Sequence, residues 1–107
     1  MHKLVALYHE PADRDHFRTH LLEVHLPIVR RFPRLRAMRV AFDLVDASGA
    51  SSYFAMVECG FDDQADLQEA LASPAGIEAS QDVPNYAGAG VTILTFDSYD
   101  ALQGDMA

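Results

Sequence analysis

RAMRVAFDLVDASGASSYFAMVECGF, at residues 36–61, contains two candidate strands joined by a loop. Apolar side chains occupy every second position over residues 36–45, which is the spacing of one face of a β-strand. They are Met38, Val40, Phe42 and Leu44. Residues 53–61 alternate in the same way, and residues 46–52 between them are mostly Ser, Ala and Gly, which favour turns. The sequence therefore predicts an antiparallel hairpin, and its flanking segments decide the rest of the fold.

A helical region is predicted before the hairpin. Asp13 is a suitable N-cap, and apolar residues follow it at helical spacing. They are Phe17, Leu21, Val24 and Ile28. Because Pro27 removes a backbone donor within this stretch, we expect a break or kink near Leu26 and a second short helix from Pro27 through Phe32.

A second helical region is predicted after the hairpin. Asp62 or Asp63 is suited to cap its first helix. Ser73 followed by Pro74 has the pattern of an N-cap and a first-turn proline, which restarts a short helix that reaches about Gln81.

Residues 3–9 and 91–96 are predicted to be the first and last strands. The order β-α-β-β-α-β is that of an α+β, ferredoxin-like fold, in which both helical regions cover one face of a four-stranded sheet. We expect a single domain over residues 1–107, with a frayed tail at residues 98–107.

The other face of this sheet also needs a cover. Residues 4–8 and 53–61 carry apolar side chains at nearly every position, so both faces of their strands are apolar. Because monomers rarely expose a large apolar face, the sequence predicts a homodimer in which a second copy covers it.

Charge and hydropathy exclude two classes of partner. The net charge of −8 disfavours nucleic acid, whose phosphates need a basic surface. No apolar run approaches the roughly 20 residues of a membrane-spanning helix. The absence of a signal-peptide pattern and the single cysteine, Cys59, lead us to expect a cytoplasmic protein.

The charges are unevenly distributed along the chain. Eight basic and four acidic residues precede Val40, whereas twelve acidic residues and no Lys or Arg follow from that position on. We therefore expect the two parts to compensate each other, within the fold or across a dimer.

Several segments resemble the EthD family. FRTHLLEVHLP at residues 17–27 is followed by FPRL at residues 32–35, and LASPAG at residues 71–76 is followed by further matching residues. These are Asp82, Asn85, Tyr86 and the last strand. The resemblance extends over residues 3–97, with departures at Arg34, where glycine often follows the proline, and at Leu21, where an aromatic residue is common.

The resemblance implies a dimeric α+β barrel in which two sheets pack face to face. It also implies a bacterial protein associated with degradation of ethyl tert-butyl ether and encoded near a cytochrome P450 system. Relatives in the wider barrel superfamily include cofactor-free monooxygenases, muconolactone isomerases and polyketide cyclases.

His20 and His25 are the candidate catalytic residues, since both occupy matching motif positions and histidine transfers protons near neutral pH. On an ideal helix five residues turn through about 500°, so the two rings diverge unless the chain bends. We therefore predict a helix interruption between Leu22 and Pro27 and expect His20 to line a cavity against the sheet. The structural alternatives are that His25 supports the helix end and that His20 is an ordinary half-buried side chain.

Other polar residues are candidates for binding a phenol or a carbonyl group. They are Tyr8, Asn85 and Tyr86. Tyrosine is also common in strands and interfaces, so a packing role stays open. Asp82, next to Val83 and Pro84, is expected only to end a helix.

No metal and no cofactor are predicted. His16 and His20 have a metal-ligand spacing, but no third ligand accompanies them. Motifs for nucleotides, phosphates or an acyl-serine are absent from the sequence.

The sequence leaves three functions open. The first is a cofactor-free enzyme of monooxygenase, isomerase or cyclase type, acting on a small apolar organic molecule bound between sheet and helices. The second is a non-catalytic binding or accessory protein of a degradation pathway, such as ether degradation. The third is a dimeric structural module.

Overall fold

The computed structural model describes residues 1–103 and the backbone of residues 105–106. Its main element is a four-stranded antiparallel sheet in the order β2–β3–β1–β4. The strands are β1 (His2–His9), β2 (Ala37–Phe42), β3 (Tyr53–Phe61) and β4 (Val91–Asp97). The helices are α1 (Arg14–His20), α2 (Leu26–Val29), α3 (Gln64–Ala72) and α4 (Pro74–Asp82), with a π-helical segment at Leu21–His25 and a 3-10 turn at Val83–Asn85. The predicted α+β, ferredoxin-like architecture is confirmed.

The first helical region changes geometry at Leu21. Over Leu21–His25 the backbone is π-helical, and the N–H of Leu26 bonds the carbonyl of Leu21, five residues earlier. Pro27 then lies in the first turn of α2. The predicted interruption between Leu22 and Pro27 is therefore confirmed, as a widened helical turn.

The π-helical segment changes which residues face the sheet. A π-turn holds more residues than an α-turn, so positions beyond it rotate relative to an α-helical pattern. Phe17 and Leu21 are buried as predicted, but Val24 is 43% exposed and His25 takes the inward position. The sequence pattern groups Val24 with Phe17, Leu21 and Ile28 as an apolar face of the helix, and its assignment to that face is wrong for this reason.

The predicted caps of three helices are present. The Asp13 carboxylate accepts the N–H of the third helical residue of α1, and Asp63 does the same for α3. The Ser73 hydroxyl accepts the N–H of Gly76 at the start of α4, where Pro74 is the first helical residue. These local bonds fix where the helices begin.

A bulge in β3 adds an aromatic ring to the core between sheet and helices. The register of β1 and β3 shifts at His9, which pairs with Tyr53, so Phe54 is the extra residue. The Phe54 ring packs against Phe17 with centroids 5.6 Å apart. The largest fully buried side chains are Phe17, Phe54, Phe61, Leu21 and Leu67.

The sheet face away from the helices is partly apolar and open. In the register of β1 and β4, Leu94 lies opposite Val5 and Phe96 lies opposite Lys3. Leu94 is 50% and Phe96 is 40% exposed. Strand alternation places all four residues on this outer face.

The two differently charged parts of the chain meet across the fold. Most of the ion pairs among the described residues join a basic residue before Val40 to an acid after it. They include Arg18–Asp43, Arg31–Glu78, Arg34–Glu69 and Arg36–Asp62. The predicted compensation therefore occurs within one chain, and because these pairs are exposed each contributes little to stability.

Arg34 occupies a strained turn after α2. Its φ of 62° lies in the left-handed region that glycine adopts freely. This is the position at which the resemblance implies glycine, so the departure noted in the sequence has a backbone consequence.

The end of the chain contains a second, two-stranded sheet among the described residues, and fraying of residues 98–107 stays a prediction. Strand β5 (Tyr99–Asp100) pairs with β6 (Asp105–Met106) in a two-stranded antiparallel hairpin, while residues 104 and 107 lie outside the described residues. In the part of the chain that the structure describes, no helix has the length and apolarity needed to cross a bilayer.

Candidate functional site

A cavity of about 320 Å³ lies between the sheet and the helices. This volume is at the lower end of the roughly 300–1,000 Å³ of small-molecule sites. Strand residues on one side and helix residues on the other form its walls. They include Leu4, Ala6 and Val57 from the sheet and His25, Val29 and Ala79 from the helices. Leu71 and Ile93 line it and are partly exposed, so the cavity opens to solvent beside them.

The cavity wall is mainly apolar. Among the described lining residues, four side chains carry a polar group: Tyr8, His25, Cys59 and Ser80. Burial raises the pKa of the Cys59 thiol to about 12, so it stays protonated and unreactive at neutral pH. A ligand that fits this wall is a small molecule with a largely apolar surface and few polar atoms.

The π-helical segment brings His25 to the cavity. Its side chain is buried, and its Nδ1 lies 2.9 Å from Oδ2 of Asp82 at the end of α4. In a π-helix, residues five apart lie close to one above the other. His20 is therefore on the same side of the helix, and both imidazoles reach one carboxylate.

Asp82 is the centre of a polar cluster in which Asp82 and His25 are buried, His20 is partly buried and Asn85 is exposed. His20 Nε2 lies 2.8 Å from its Oδ1, and the Asn85 amide donates to the same oxygen over 3.0 Å. The carboxylate is 7% exposed. We refer to His20, His25, Asp82 and Asn85 as the Asp82 cluster.

Three donors keep Asp82 ionised. Burial raises the pKa of a carboxyl group, but hydrogen bonds from Asn85, His20 and His25 together outweigh it, and the pKa of Asp82 lies below its usual value. An ionised carboxylate only accepts hydrogen bonds, so Nδ1 of His25 and Nε2 of His20 both carry a proton.

His25 is neutral at physiological pH. Burial lowers its pKa, and the bond and charge of Asp82 compensate for only part of that effect. Its single proton is on Nδ1, which leaves Nε2 with a free lone pair in a ring that lines the cavity. This is the state of a general base oriented by a carboxylate.

Two tyrosines lie beside the Asp82 cluster. The hydroxyl oxygens of Tyr8 and Tyr86 are 2.7 Å apart, and the Tyr86 ring stacks on His20 with an interplanar angle of 16°. Burial raises the pKa of Tyr8 to about 12 and that of Tyr86 further. Both hydroxyls therefore stay protonated and serve as hydrogen-bond donors.

The structure brings the five predicted site residues together, but only two of them line the cavity. His25 and Tyr8 are in its wall. The expectation that His20 lines the cavity is wrong, because its ring is held between Tyr86 and Asp82 instead. Asn85 and Tyr86 are outside the cavity wall as well: Tyr86 contacts the wall residues Tyr8 and His25, whereas Asn85 is exposed and bonds Asp82.

Asp82 is the functional candidate that the sequence prediction missed. It does end α4, as expected, but its carboxylate also joins three side chains. Its histidine partners are 57 and 62 residues away in the sequence. Only the approach of α4 to the π-helical segment reveals the pairing.

His16 and His20, which have a metal-ligand spacing, each face a protein acceptor in this fold. His16 Nε2 lies 3.3 Å from the Asn85 carbonyl oxygen, to which it donates. Among the described residues, no group of three or more His, Cys, Asp or Glu is arranged to hold a metal ion. In the Asp82 cluster both imidazoles direct a proton, not a lone pair, at the carboxylate.

Comparison with known proteins gives consistent matches. The model of the EthD domain family matches residues 9–90. An uncharacterised 11.0 kDa protein from the thcB–thcC intergenic region of Rhodococcus erythropolis is 33% identical over 103 residues, which cover 95% of this chain and 99% of that protein.

Solved structures match over the same extent. An ethyl tert-butyl ether degradation (EthD) family protein from Bacillus halodurans C-125 has a TM-score of 0.85 and 33% identity, covering 92% of this chain and 98% of that one. A dimeric ferredoxin-like protein of unknown function from Thermobifida fusca has a TM-score of 0.69 and 14% identity, covering 89% and 88%, and shows the fold alone.

Proposed function

The chain belongs to the EthD family, and from this premise we propose that it acts in small-molecule catabolism as a cofactor-free enzyme with His25 as its general base. The substrate is a small, mainly apolar organic molecule held between the sheet and the helices. One observation carries the proposal: His25 stands between a buried, ionised carboxylate and an apolar cavity.

The chemistry starts at Nε2 of His25. Its lone pair accepts a proton from a C–H or O–H group of the bound molecule, and Asp82 stabilises the imidazolium that forms. Return of the proton to another atom gives an isomerisation. Attack of the deprotonated atom on an electrophilic carbon of the same molecule, with return of the proton to the atom that gains the displaced electron pair, gives a cyclisation. Reaction of the deprotonated molecule with dioxygen gives a cofactor-free oxidation. The mainly apolar wall lowers the local dielectric constant and so strengthens each electrostatic interaction.

His20 and Asn85 act through Asp82 as positioning residues. Their bonds to Oδ1 hold the carboxylate so that Oδ2 faces His25. Tyr86 packs on both histidine rings, with centroid distances of 5.1 Å to His20 and 4.9 Å to His25. The site is thus held by residues on rigid elements, which general-base catalysis requires.

A non-catalytic binding or accessory role in a degradation pathway is the alternative. The mainly apolar wall of the cavity favours it, because such a wall binds a hydrophobic molecule without any chemistry. The two functions differ in whether His25 changes the rate of a proton transfer.

The assembly we propose is a homodimer. Leu94 and Phe96 are exposed on the outer sheet face, and a second copy of that face covers them. The ferredoxin-like protein from Thermobifida fusca is described as dimeric, which supports the same assembly here.

Proton abstraction is tested with 5-nitrobenzisoxazole, a small aromatic probe. Its ring C–H gives a proton to a base while its N–O bond breaks, which yields a nitrile and a coloured nitrophenolate. We expect the protein to accelerate this reaction about 10²-fold or more over buffer. The rate is expected to rise with pH and level off below the ordinary histidine value of 6.5, since the pKa of His25 is lowered.

Two variants identify the base. His25→Asn keeps a donor for Asp82 but lacks the Nε2 lone pair, so its rate is expected to fall to the buffer value. His9→Asn, at the far end of β1 and outside the cavity wall, keeps the full rate. If the probe binds in the cavity but reacts equally fast with and without His25, base catalysis is refuted and the binding role replaces it.

A further inference from the structure

The hydroxyl groups of Tyr8 and Tyr86 carry two protons, and the hydrogen bond between them uses one. Tyr8 and Tyr86 are linked through their oxygens, so one hydroxyl donates and the other accepts. The proton of the accepting hydroxyl has no other side-chain or backbone partner among the described residues. That proton is therefore available to an acceptor outside the pair of tyrosines.

The cavity is the place for that acceptor. Tyr8 is in the cavity wall, whereas Tyr86 is behind it and packs on the rings of Phe17, His20 and His25. If Tyr86 donates to Tyr8, the proton of Tyr8 is free to point to a molecule in the cavity. Besides the Ser80 hydroxyl and the Cys59 thiol, the cavity lining then presents a donor in the Tyr8 hydroxyl and an acceptor in Nε2 of His25.

We infer that the ligand of this cavity is a small apolar carbonyl compound with a hydrogen on the carbon next to the carbonyl, bound with its oxygen on Tyr8 and that hydrogen facing His25. A donor on the sheet side and a base on the helix side of one mainly apolar cavity match the two atoms that change charge when such a compound enolises. The substrate class rests on the proposed function, because only a working base makes the second contact productive.

The proton and electron count of this step balances. His25 Nε2 takes the proton from the carbon, and the electron pair of the C–H bond moves into the carbonyl group to give an enolate oxygen. The Tyr8 hydroxyl donates to that oxygen and keeps its own proton, as the pKa of about 12 requires. Return of the proton from the imidazolium to carbon regenerates the carbonyl compound, and no oxidant or reductant takes part.

Acetophenone and ethylbenzene are the probe pair, since they differ only in a carbonyl oxygen in place of two hydrogens. The dissociation constants of both are measured by NMR titration of the whole protein. We expect acetophenone to bind more tightly, and Tyr8→Phe to reduce that preference by about three- to tenfold while ethylbenzene binding stays unchanged. Tyr86→Phe keeps the Tyr8 hydroxyl and the ring stacking on His20, so it should keep most of the preference.

Exchange of the acetophenone methyl protons in D₂O separates this inference from the proposed function. We expect His25→Asn to abolish enzyme-dependent exchange and to keep the preference for acetophenone. The carbonyl assignment is overturned if Tyr8→Phe still prefers acetophenone to ethylbenzene, or if only Tyr86→Phe loses that preference. This holds even if His25 still deprotonates 5-nitrobenzisoxazole. If the preference depends on Tyr8 but neither probe loses a proton, carbonyl recognition stands and the enzymatic role fails.

Discussion

Replacing Asp82 with alanine removes the acceptor of three side chains at once. His20, His25 and Asn85 all donate to this carboxylate, which is 7% exposed, so water cannot fully replace it. Hydrogen bonds to a charged group contribute roughly 1.5–3 kcal/mol each, but the three belong to one network and do not add. We expect the free energy of unfolding to fall by about 3 kcal/mol, because the donors that face Asp82 lose their charged acceptor.

The matched control is Asp97→Ala. Asp97 also bonds a buried histidine, His2, over 2.6 Å, but its side chain is 70% exposed. Water can take its place, so we expect a loss of about 1 kcal/mol or less.

Both variants are measured by urea unfolding at one fixed protomer concentration, because the proposed dimer would make stability depend on concentration. Far-UV circular dichroism is the suitable signal, since the chain contains no Trp. A loss of 3 kcal/mol corresponds to a fall in Tm of about 12 °C or more for a domain of this size. Equal losses for the two variants would refute the view that Asp82 organises a buried network.

Three further predictions follow from the structure. Burial lowers the pKa of His25, so below about pH 6.5 the unfolded chain binds a proton more readily than the folded protein does, and the free energy of unfolding should decrease as pH falls. In urea titrations, His25→Asn should remove up to about 1.4 kcal/mol per pH unit of this slope. Gly76→Ala should destabilise the fold by about 1–3 kcal/mol, since a Cβ there would lie 2.3 Å from the carbonyl oxygen of Ala70, whereas Gly88→Ala, with open space around it, should be neutral in the same assay. Leu94→Glu on the outer sheet face should give monomers in sedimentation equilibrium, whereas Val45→Glu, in the exposed loop after β2, should remain dimeric; a wild-type monomer at micromolar concentration would contradict the dimer.

Local sequence signals predicted most of the fold. The alternation over Tyr53–Phe61 gave the bounds of β3, and Asp13 and Ser73 begin helices as predicted. These features depend on residues within a few positions of each other, so a single chain segment contains the whole signal. The same holds for Pro27, whose missing donor pointed to the change in helical geometry.

The details of the site could not be predicted from such local sequence signals. A proline indicates that a helix is disturbed, but it does not specify a π-turn. The π-turn rotates the following residues about the helix axis, so that His25 and not Val24 faces the core. The bulge at Phe54 also rotates a side chain without a local signature. Asp82 contacts His25 because α4 packs on the first helical region, and the spacing of apolar residues in the sequence does not predict that packing.

The protonation state of His25 tests the central claim most directly. With ¹⁵N-labelled histidine, a long-range ¹H–¹⁵N spectrum distinguishes protonated from unprotonated ring nitrogens. At pH 7.5 we predict a neutral His25 ring with the proton on Nδ1, bonded to Asp82, and an unprotonated Nε2 facing the cavity. A ring that carries its proton on Nε2, or on both nitrogens, would contradict the account, because Nε2 would then have no lone pair with which to accept a proton from a molecule in the cavity.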